Sequence, residues 1–195
     1  MSKRKRYNTD FKIHFVTFTV RNFIPIFKNK DIANTLVKIL QFYSDKKIYT
    51  LHAYVIMPDH VHILLERLND KSISSIVQNI KKYFTYKYKN RSIVSDKFII
   101  KDGKFRLWQT GFDEVTIYSE KQYRIKYEYI LNNPVKSGMV KKAEEYKWSS
   151  VVGDHLGREN IPYINDALLQ GMICDWDKYL KEEKEKRKDR VIEKA

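Results

Sequence analysis

Two apolar stretches, residues 48–56 and 60–66, are separated only by Met57-Pro58-Asp59, and this pairing constrains the fold more than any other feature of the chain. A parallel crossover needs a dozen residues or more, so strands joined by so short a link run antiparallel. The first stretch, Ile-Tyr-Thr-Leu-His-Ala-Tyr-Val-Ile, is rich in β-branched and aromatic residues, and Pro58-Asp59 supplies the turn. The second stretch alternates. His60, His62, Leu64 and Glu66 fall on one face, and Val61, Ile63 and Leu65 on the other. The Val-Ile-Leu face suits a buried core. The two histidines stand roughly 7 Å apart along the strand, and at that spacing they can hold one divalent metal. Such pairs also arise by chance, so the rest of the chain must decide.

The neighbouring segments read in order. Residues 12–20 are β-branched and aromatic and form a first strand. His14 falls there on the face of Val16, Phe18 and Val20, where a lone histidine is more often structural. A helix over 31–45 opens at Asp31 as N-cap, with Ile32, Leu36, Ile39 and Leu40 at helical spacing. His52 shares a face with Tyr54 and Ile56, as a packing residue or a neighbour of the histidine pair. A second helix spans 72–89, capped by Ser72 or Ser74, with Ile73, Ile76, Val77, Ile80 and Phe84 as its buried stripe. Residues 90–106 are weakly patterned, with a short hairpin at Lys101-Asp102-Gly103-Lys104. Residues 112–117 read as a fourth strand. Ser119-Glu120-Lys121-Gln122 is a capping box that opens a helix over 120–132, ended by Pro134. Further helix is expected at 142–155 and 165–171, and a charged helix or extension at 178–192.

The order β-α-β-β-α-β followed by a helix predicts an α+β fold. The natural topology is a ferredoxin-like split βαβ sandwich with an antiparallel sheet, plus C-terminal helices. Two helices would cover one face of the sheet. His60 and His62 would lie on the other, more open face.

The charge points to a partner. Lys plus Arg number 38 against 24 Asp plus Glu, a net +14 in 195 residues. Such an excess implies a polyanion, nucleic acid before membrane, over the plainer reading of a solvated basic surface. Lysines alternate with tyrosines in Lys81-Lys82-Tyr83-Phe84-Thr85-Tyr86-Lys87-Tyr88-Lys89, a composition that can track phosphates and stack on unpaired bases. Lys81, Lys82 and Lys87 are therefore candidate nucleic-acid contacts, as is the arm Lys3-Arg4-Lys5-Arg6, which reads equally as a frayed terminus. A single cysteine, Cys174, excludes an intramolecular disulfide and a thiolate metal site within one chain. No apolar run approaches a membrane span, and the basic start lacks the apolar stretch of a secretory signal, so a cytoplasmic location is expected.

The helix 120–132 adds chemistry. Tyr123, Tyr127 and Ile130-Leu131 form one stripe, the likelier core face by composition. Ile125, Tyr129 and Asn133 form another, roughly opposite. Tyr129 and Asn133 thus present a phenol and an amide on one side. An amide oxygen is a hard ligand suited to Mg²⁺ or Mn²⁺. An exposed Tyr and a helix-ending Asn are also common, so spacing alone leaves the matter open.

Met57-Pro58-Asp59-His60-Val61-His62-Ile63-Leu64 resembles the histidine–hydrophobic–histidine motif of the IS200-like, single-tyrosine transposases. Leu107-Trp108-Gln109, the run Tyr129-Ile130-Leu131-Asn132-Asn133-Pro134-Val135-Lys136-Ser137-Gly138-Met139-Val140, and Tyr146-Lys147-Trp148-Ser149-Ser150 match its REP-associated branch. The resemblance covers about residues 8–152 and implies a catalytic domain over 1–152 with an extension at 153–195. It implies a metal-dependent enzyme that cuts and joins single-stranded or hairpin DNA through a 5′-phosphotyrosine. His60, His62 and Asn133 would be metal ligands, with Mg²⁺ or Mn²⁺ as cofactor, and Tyr129 the nucleophile. Asn133 stands where more distant relatives use glutamine, and Asp59 where asparagine is common. Tyr127 is the rival nucleophile. Trp108 would stack on a base or serve the core. A free phenol is ionised to roughly one part in a thousand at neutral pH, so a cation must offset that deficit, and Lys126 and Lys136 are candidates. Either a monomer or a homodimer satisfies the sequence, and in a dimer the tyrosine helix could serve the partner's histidines. Two other readings compete: a binding module without chemistry, and a metal-dependent nuclease that activates water.

Overall fold

The computed structural model describes residues 12–68, 70–89, 96–100 and 103–151. The basic arm and the whole extension at 153–195, with its expected helices, lie outside the described residues. Strand β1 (Ile13–Thr19) is followed by helix α1 (Lys30–Asp45), strands β2 (Tyr49–Ile56) and β3 (His60–Arg67), helix α2 (Ile73–Lys89), strand β4 (Asp113–Thr116) and helix α3 (Glu120–Lys136). The sheet runs β2-β3-β1-β4, and every pairing is antiparallel. This is the expected split βαβ sandwich.

Two cores flank the sheet. Val16, Phe18, Val61, Ile63 and Leu65 point toward α1 and α2, where Leu36, Leu40, Ile76 and Ile80 meet them. The expected Val61-Ile63-Leu65 face is fully buried. On the other side, Phe15, Ala53, Val55 and Leu64 meet Ile130 of α3 and Tyr146. Helix α3 packs mainly on β2 and β3, so the second face is covered on one half.

Several local expectations change. The N-cap of α1 is Asn29, whose side chain accepts from the backbone N–H groups of Asp31 and Ile32. His52 does not share a face with Tyr54 and Ile56. The β2–β3 register passes from Leu51↔Leu65 to Ala53↔Leu64, leaving His52 as an extra residue. That bulge reverses strand parity and turns His52 toward α3, with Nδ1 3.0 Å from the Tyr123 hydroxyl. His14 is buried among Arg67 and Glu114.

Pro134 does not end α3, which continues to Lys136. The stop comes from a Schellman motif. Met139 N–H reaches the Pro134 carbonyl and Gly138 N–H the Val135 carbonyl, at 2.9 Å each, with Gly138 at φ 67. Residues 142–151 are not a helix either. They form one short 3-10 turn, Ala143–Glu145, and then an extended run along the outer edge of β2. Ile56 N–H donates to the Trp148 carbonyl, Ser150 N–H to the Tyr54 carbonyl, and Tyr146 Oη to the Ile56 carbonyl. The run consumes the edge's free backbone groups, which outweighs its weak helical pattern. At the other side, Gln109 N–H bonds the Thr19 carbonyl and Arg21 N–H the Leu107 carbonyl.

Candidate active site

The β1–β3 register sets Thr17 opposite His62 and Thr19 opposite His60, both on the α3 side of the sheet. Each imidazole is held through its Nδ1. His60 Nδ1 donates to Asp59 Oδ1 at 2.6 Å, and His62 Nδ1 lies 2.7 Å from Thr17 Oγ1. With Nδ1 engaged, the Nε2 lone pair of His60 is left for a ligand. The same holds for His62 when its Nδ1 carries the proton and the Thr17 hydroxyl accepts. The rings sit 4.9 Å apart between centroids. His62 is 5% exposed. Burial, then His60, then Lys126 push its pKa down to about 3, so it is neutral at pH 7.

Nε2 of His62 is buried with no hydrogen-bond partner among the described residues. A buried polar nitrogen in that state costs free energy unless something occupies it. Two imidazole nitrogens suit a divalent cation, and the Asn133 amide follows one helical turn beyond Tyr129 on α3. Among the described residues no cluster of three His, Cys, Asp or Glu side chains competes with them.

Helix α3 brings the phenol to this point. Its N-terminus is fixed by Ser119, whose side chain accepts from Gln122 N–H, while the Gln122 side chain accepts from Tyr118 N–H. The Tyr129 ring meets His62 edge-on at 5.2 Å and Phe15 edge-on at 5.8 Å. Phe15 in turn stacks on His62 at 5.5 Å. Lys126 Nζ lies 5.8 Å and Lys136 Nζ 5.9 Å from the Tyr129 ring centroid, so two cations bracket the phenol. The histidines and Tyr129 therefore come together within one chain.

The two stripes expected on α3 are not opposite faces. Ile125 is 53% exposed, Tyr129 36% and Asn133 only 8%. Tyr129 rides the rim of the buried stripe, between Lys126 and Asn133, where it is packed on one side and open on the other. Tyr127 instead stacks on Tyr123 at 5.9 Å.

The other candidates divide. Trp108 is a core residue, packed on Phe18, Phe27 and Phe84, with Nε1 donating to the Lys81 carbonyl and Thr85 Oγ1. It is not available to stack on a base. Lys81 Nζ donates to the Gln109 and Gly111 carbonyls, and burial pulls its pKa down to about 8, so it ties α2 to the loop before β4. Lys82 is exposed, and Lys87 lies over the Tyr83 ring at 5.7 Å. Lys3, Arg4, Lys5 and Arg6 lie outside the described residues. Thr17 and Phe15 are site residues that the sequence reading missed. Their only signal is parity with the histidines, which needs the β1–β3 register.

Comparison with known proteins points the same way. The family model described as "Transposase IS200 like" matches residues 7–133. A REP-associated tyrosine transposase of Escherichia coli K12 is 28% identical over 155 residues, covering 77% of this chain and 82% of that protein. A relative from Haemophilus influenzae is 30% identical over 99 residues, 50% of this chain and 56% of that protein. Among solved structures, a REP-associated tyrosine transposase bound to a REP hairpin superposes with a TM-score of 0.60 at 27% identity, covering 77% of this chain and 82% of that one. The relatives fall in the branch to which the sequence landmarks point.

Proposed function

The chain belongs to the IS200-like transposase family, and on that premise we propose that it nicks and rejoins single-stranded DNA beside hairpins, with Tyr129 as the nucleophile. The observation that carries this reading is the edge-on packing of Tyr129 against His62 in the same chain. The hairpin bound to a solved relative and the net charge of +14 support a hairpin-bearing strand as substrate.

His60, His62 and Asn133 would hold Mg²⁺ or Mn²⁺, which when bound supplies positive charge beside a scissile phosphate. Asp59 and Thr17 fix the two imidazoles with Nε2 forward. Tyr129 Oη forms a bond to phosphorus as the bond to the 3′ oxygen breaks. The products are a 5′-phosphotyrosine and a free 3′-OH, and the phenol proton passes to that oxygen by exchange with solvent. One phosphate ester replaces another, so no nucleoside triphosphate is needed. Lys126 and Lys136 bring positive charge beside the Tyr129 ring, where the phosphate would approach. No helix among the described residues is long and apolar enough to cross a membrane.

The test is incubation with hairpin-bearing single-stranded DNA and Mg²⁺ or Mn²⁺, read on a denaturing gel. A protein–DNA adduct that disappears in Tyr129→Phe is expected. Cleavage without an adduct would favour water as nucleophile, and binding without cleavage would favour a module without chemistry.

A further inference from the structure

Helix α3 is anchored unevenly. It buries Ile130, Asn133 and Pro134 near its C-terminal end and no residue before Ile130. At roughly 100° per residue, Tyr123 falls within about 20° of Ile130 around the helix, and Tyr129 stands about 120° from Tyr123. Tyr123 therefore lies on the stripe that faces the sheet, and Tyr129 on its rim. A roll of the helix about its own axis would carry Tyr129 toward or away from His62. Apolar packing is non-directional and sets such a roll loosely. A hydrogen bond has a preferred direction and sets it more tightly.

The bulge in β2 supplies that bond. Leu51 packs with the α1–α2 core and Ala53 with the α3 core, so the extra residue, His52, gives the α3 side one more side chain. Its Nδ1 lies 3.0 Å from Tyr123 Oη, and the two rings meet edge-on at 5.5 Å between centroids. Tyr127 stacks on the same Tyr123 ring. On the far side of the imidazole, Glu66 Oε2 is 3.5 Å from His52 Nε2. A proton on Nε2 faces that carboxylate, which leaves the Nδ1 lone pair to accept from the Tyr123 hydroxyl. Burial lowers the His52 pKa and outweighs the opposing pull of Glu66, so the ring is neutral at pH 7. The row Glu66–His52–Tyr123 thus runs from β3 through β2 to α3, and it stands apart from the His60, His62 and Tyr129 cluster.

We propose that His52 is a positioning residue for strand transfer: through Tyr123 it sets the roll of α3 and so holds Tyr129 against His62. This rests on the strand-transfer reading above. The lever is short, since six helical residues span roughly 9 Å. Attack on phosphorus needs the phenol oxygen in line, and a misplacement of about 1 Å costs up to about a hundredfold in rate. The bulge interrupts the β2–β3 ladder, and in doing so it aims the side chain that fixes α3.

The experiment places a fluorotyrosine in place of Tyr129 in the full chain and reads its fluorine resonance without DNA or metal. Single-turnover adduct formation on hairpin-bearing single-stranded DNA with Mn²⁺, and hairpin affinity in EDTA, are measured alongside on the natural tyrosine. His52→Ala and Tyr123→Phe are each expected to shift the resonance and to slow the adduct about tenfold or more, with hairpin affinity unchanged. The double variant should be no slower than either single one, because both break the same bond. His52→Asn keeps an amide where Nδ1 stood and should restore the wild-type resonance and most of the rate. Thermal melting checks that the variants remain folded, and Tyr123→Phe keeps the packed ring should His52→Ala disturb the bulge. An unmoved resonance in both variants, a full rate in both, or a rate loss matched by lost hairpin affinity overturns the positioning role. A wild type that forms no adduct overturns the strand-transfer reading instead. The resonance then decides the placement of Tyr129 by itself: a shift that His52→Asn reverses supports it, and no shift overturns it.

Discussion

Tyr129 and His62 meet edge to face, their ring centroids 5.2 Å apart, although 67 positions separate them in the chain. One residue comes from the middle of a helix and the other from a central strand. The contact joins the phenol to the imidazole pair inside a single chain.

Tyr127 and Tyr129 differ in surroundings, and their variants should differ in outcome. Tyr127 stacks on Tyr123, whose hydroxyl meets His52. Tyr127→Phe should form the covalent adduct at a rate within about threefold of wild type, since it loses one hydroxyl and keeps the stacked ring. The adduct should be undetectable with Tyr129→Phe. An adduct that persists in Tyr129→Phe and vanishes in Tyr127→Phe would reverse the assignment.

Thr17→Val removes the group facing Nδ1 of His62 while keeping shape. Loss of such an orienting partner costs about 10–100-fold in metal affinity. Calorimetric titration with Mn²⁺ should show that loss, with the far-ultraviolet circular dichroism unchanged. Affinity equal to wild type would mean that Thr17 does not set the ring.

His62 also gives the fold a pH dependence. Its folded pKa is pushed down to about 3, against about 6.5 in the unfolded chain. Between those values the unfolded state binds the extra proton. Stability is therefore full above about pH 6.5, falls as the pH is lowered, and stops falling from this source near pH 3. Urea titrations across pH 4–7 should show a shallower decline for His62→Gln than for wild type. Parallel curves would show that another group carries the acid limb.

Trp108 is expected to matter for stability before DNA. It is 6% exposed and packs on three aromatic residues. Trp108→Ala should cost about 3–5 kcal/mol in chemical denaturation, and Trp108→Phe less. A Trp108→Phe variant of native stability that loses hairpin binding would return Trp108 to the DNA surface.

Lys126→Met should slow adduct formation several-fold more than Lys136→Met. Lys126 is half-buried, where solvent screens its charge less, and its Nζ also lies 4.6 Å from the Phe15 centroid, while Lys136 is exposed. Single-turnover rates at fixed metal concentration would rank them, and the reverse order would place the important cation at Lys136.

The sequence alone determined what depends on neighbours along the chain. The Pro58-Asp59 turn, the alternation after it and the helical stripes of α1 and α2 are local patterns of period 2 and 3.6, and they sufficed for the sandwich. The motif landmarks sufficed for the family. Tertiary structure decided what depends on residues far apart. The His52 bulge reverses strand parity, and no local signal marks it. Gly138 and a buried Pro134 let α3 run one turn further than the proline rule allows. Thr17 and Phe15 join the site only through a register between strands about 45 residues apart. Trp108 left the DNA surface because its ring completes a core assembled from three other elements. Side-chain burial and inter-strand register arise from packing between distant segments, so the chain encodes them jointly and no single stretch displays them.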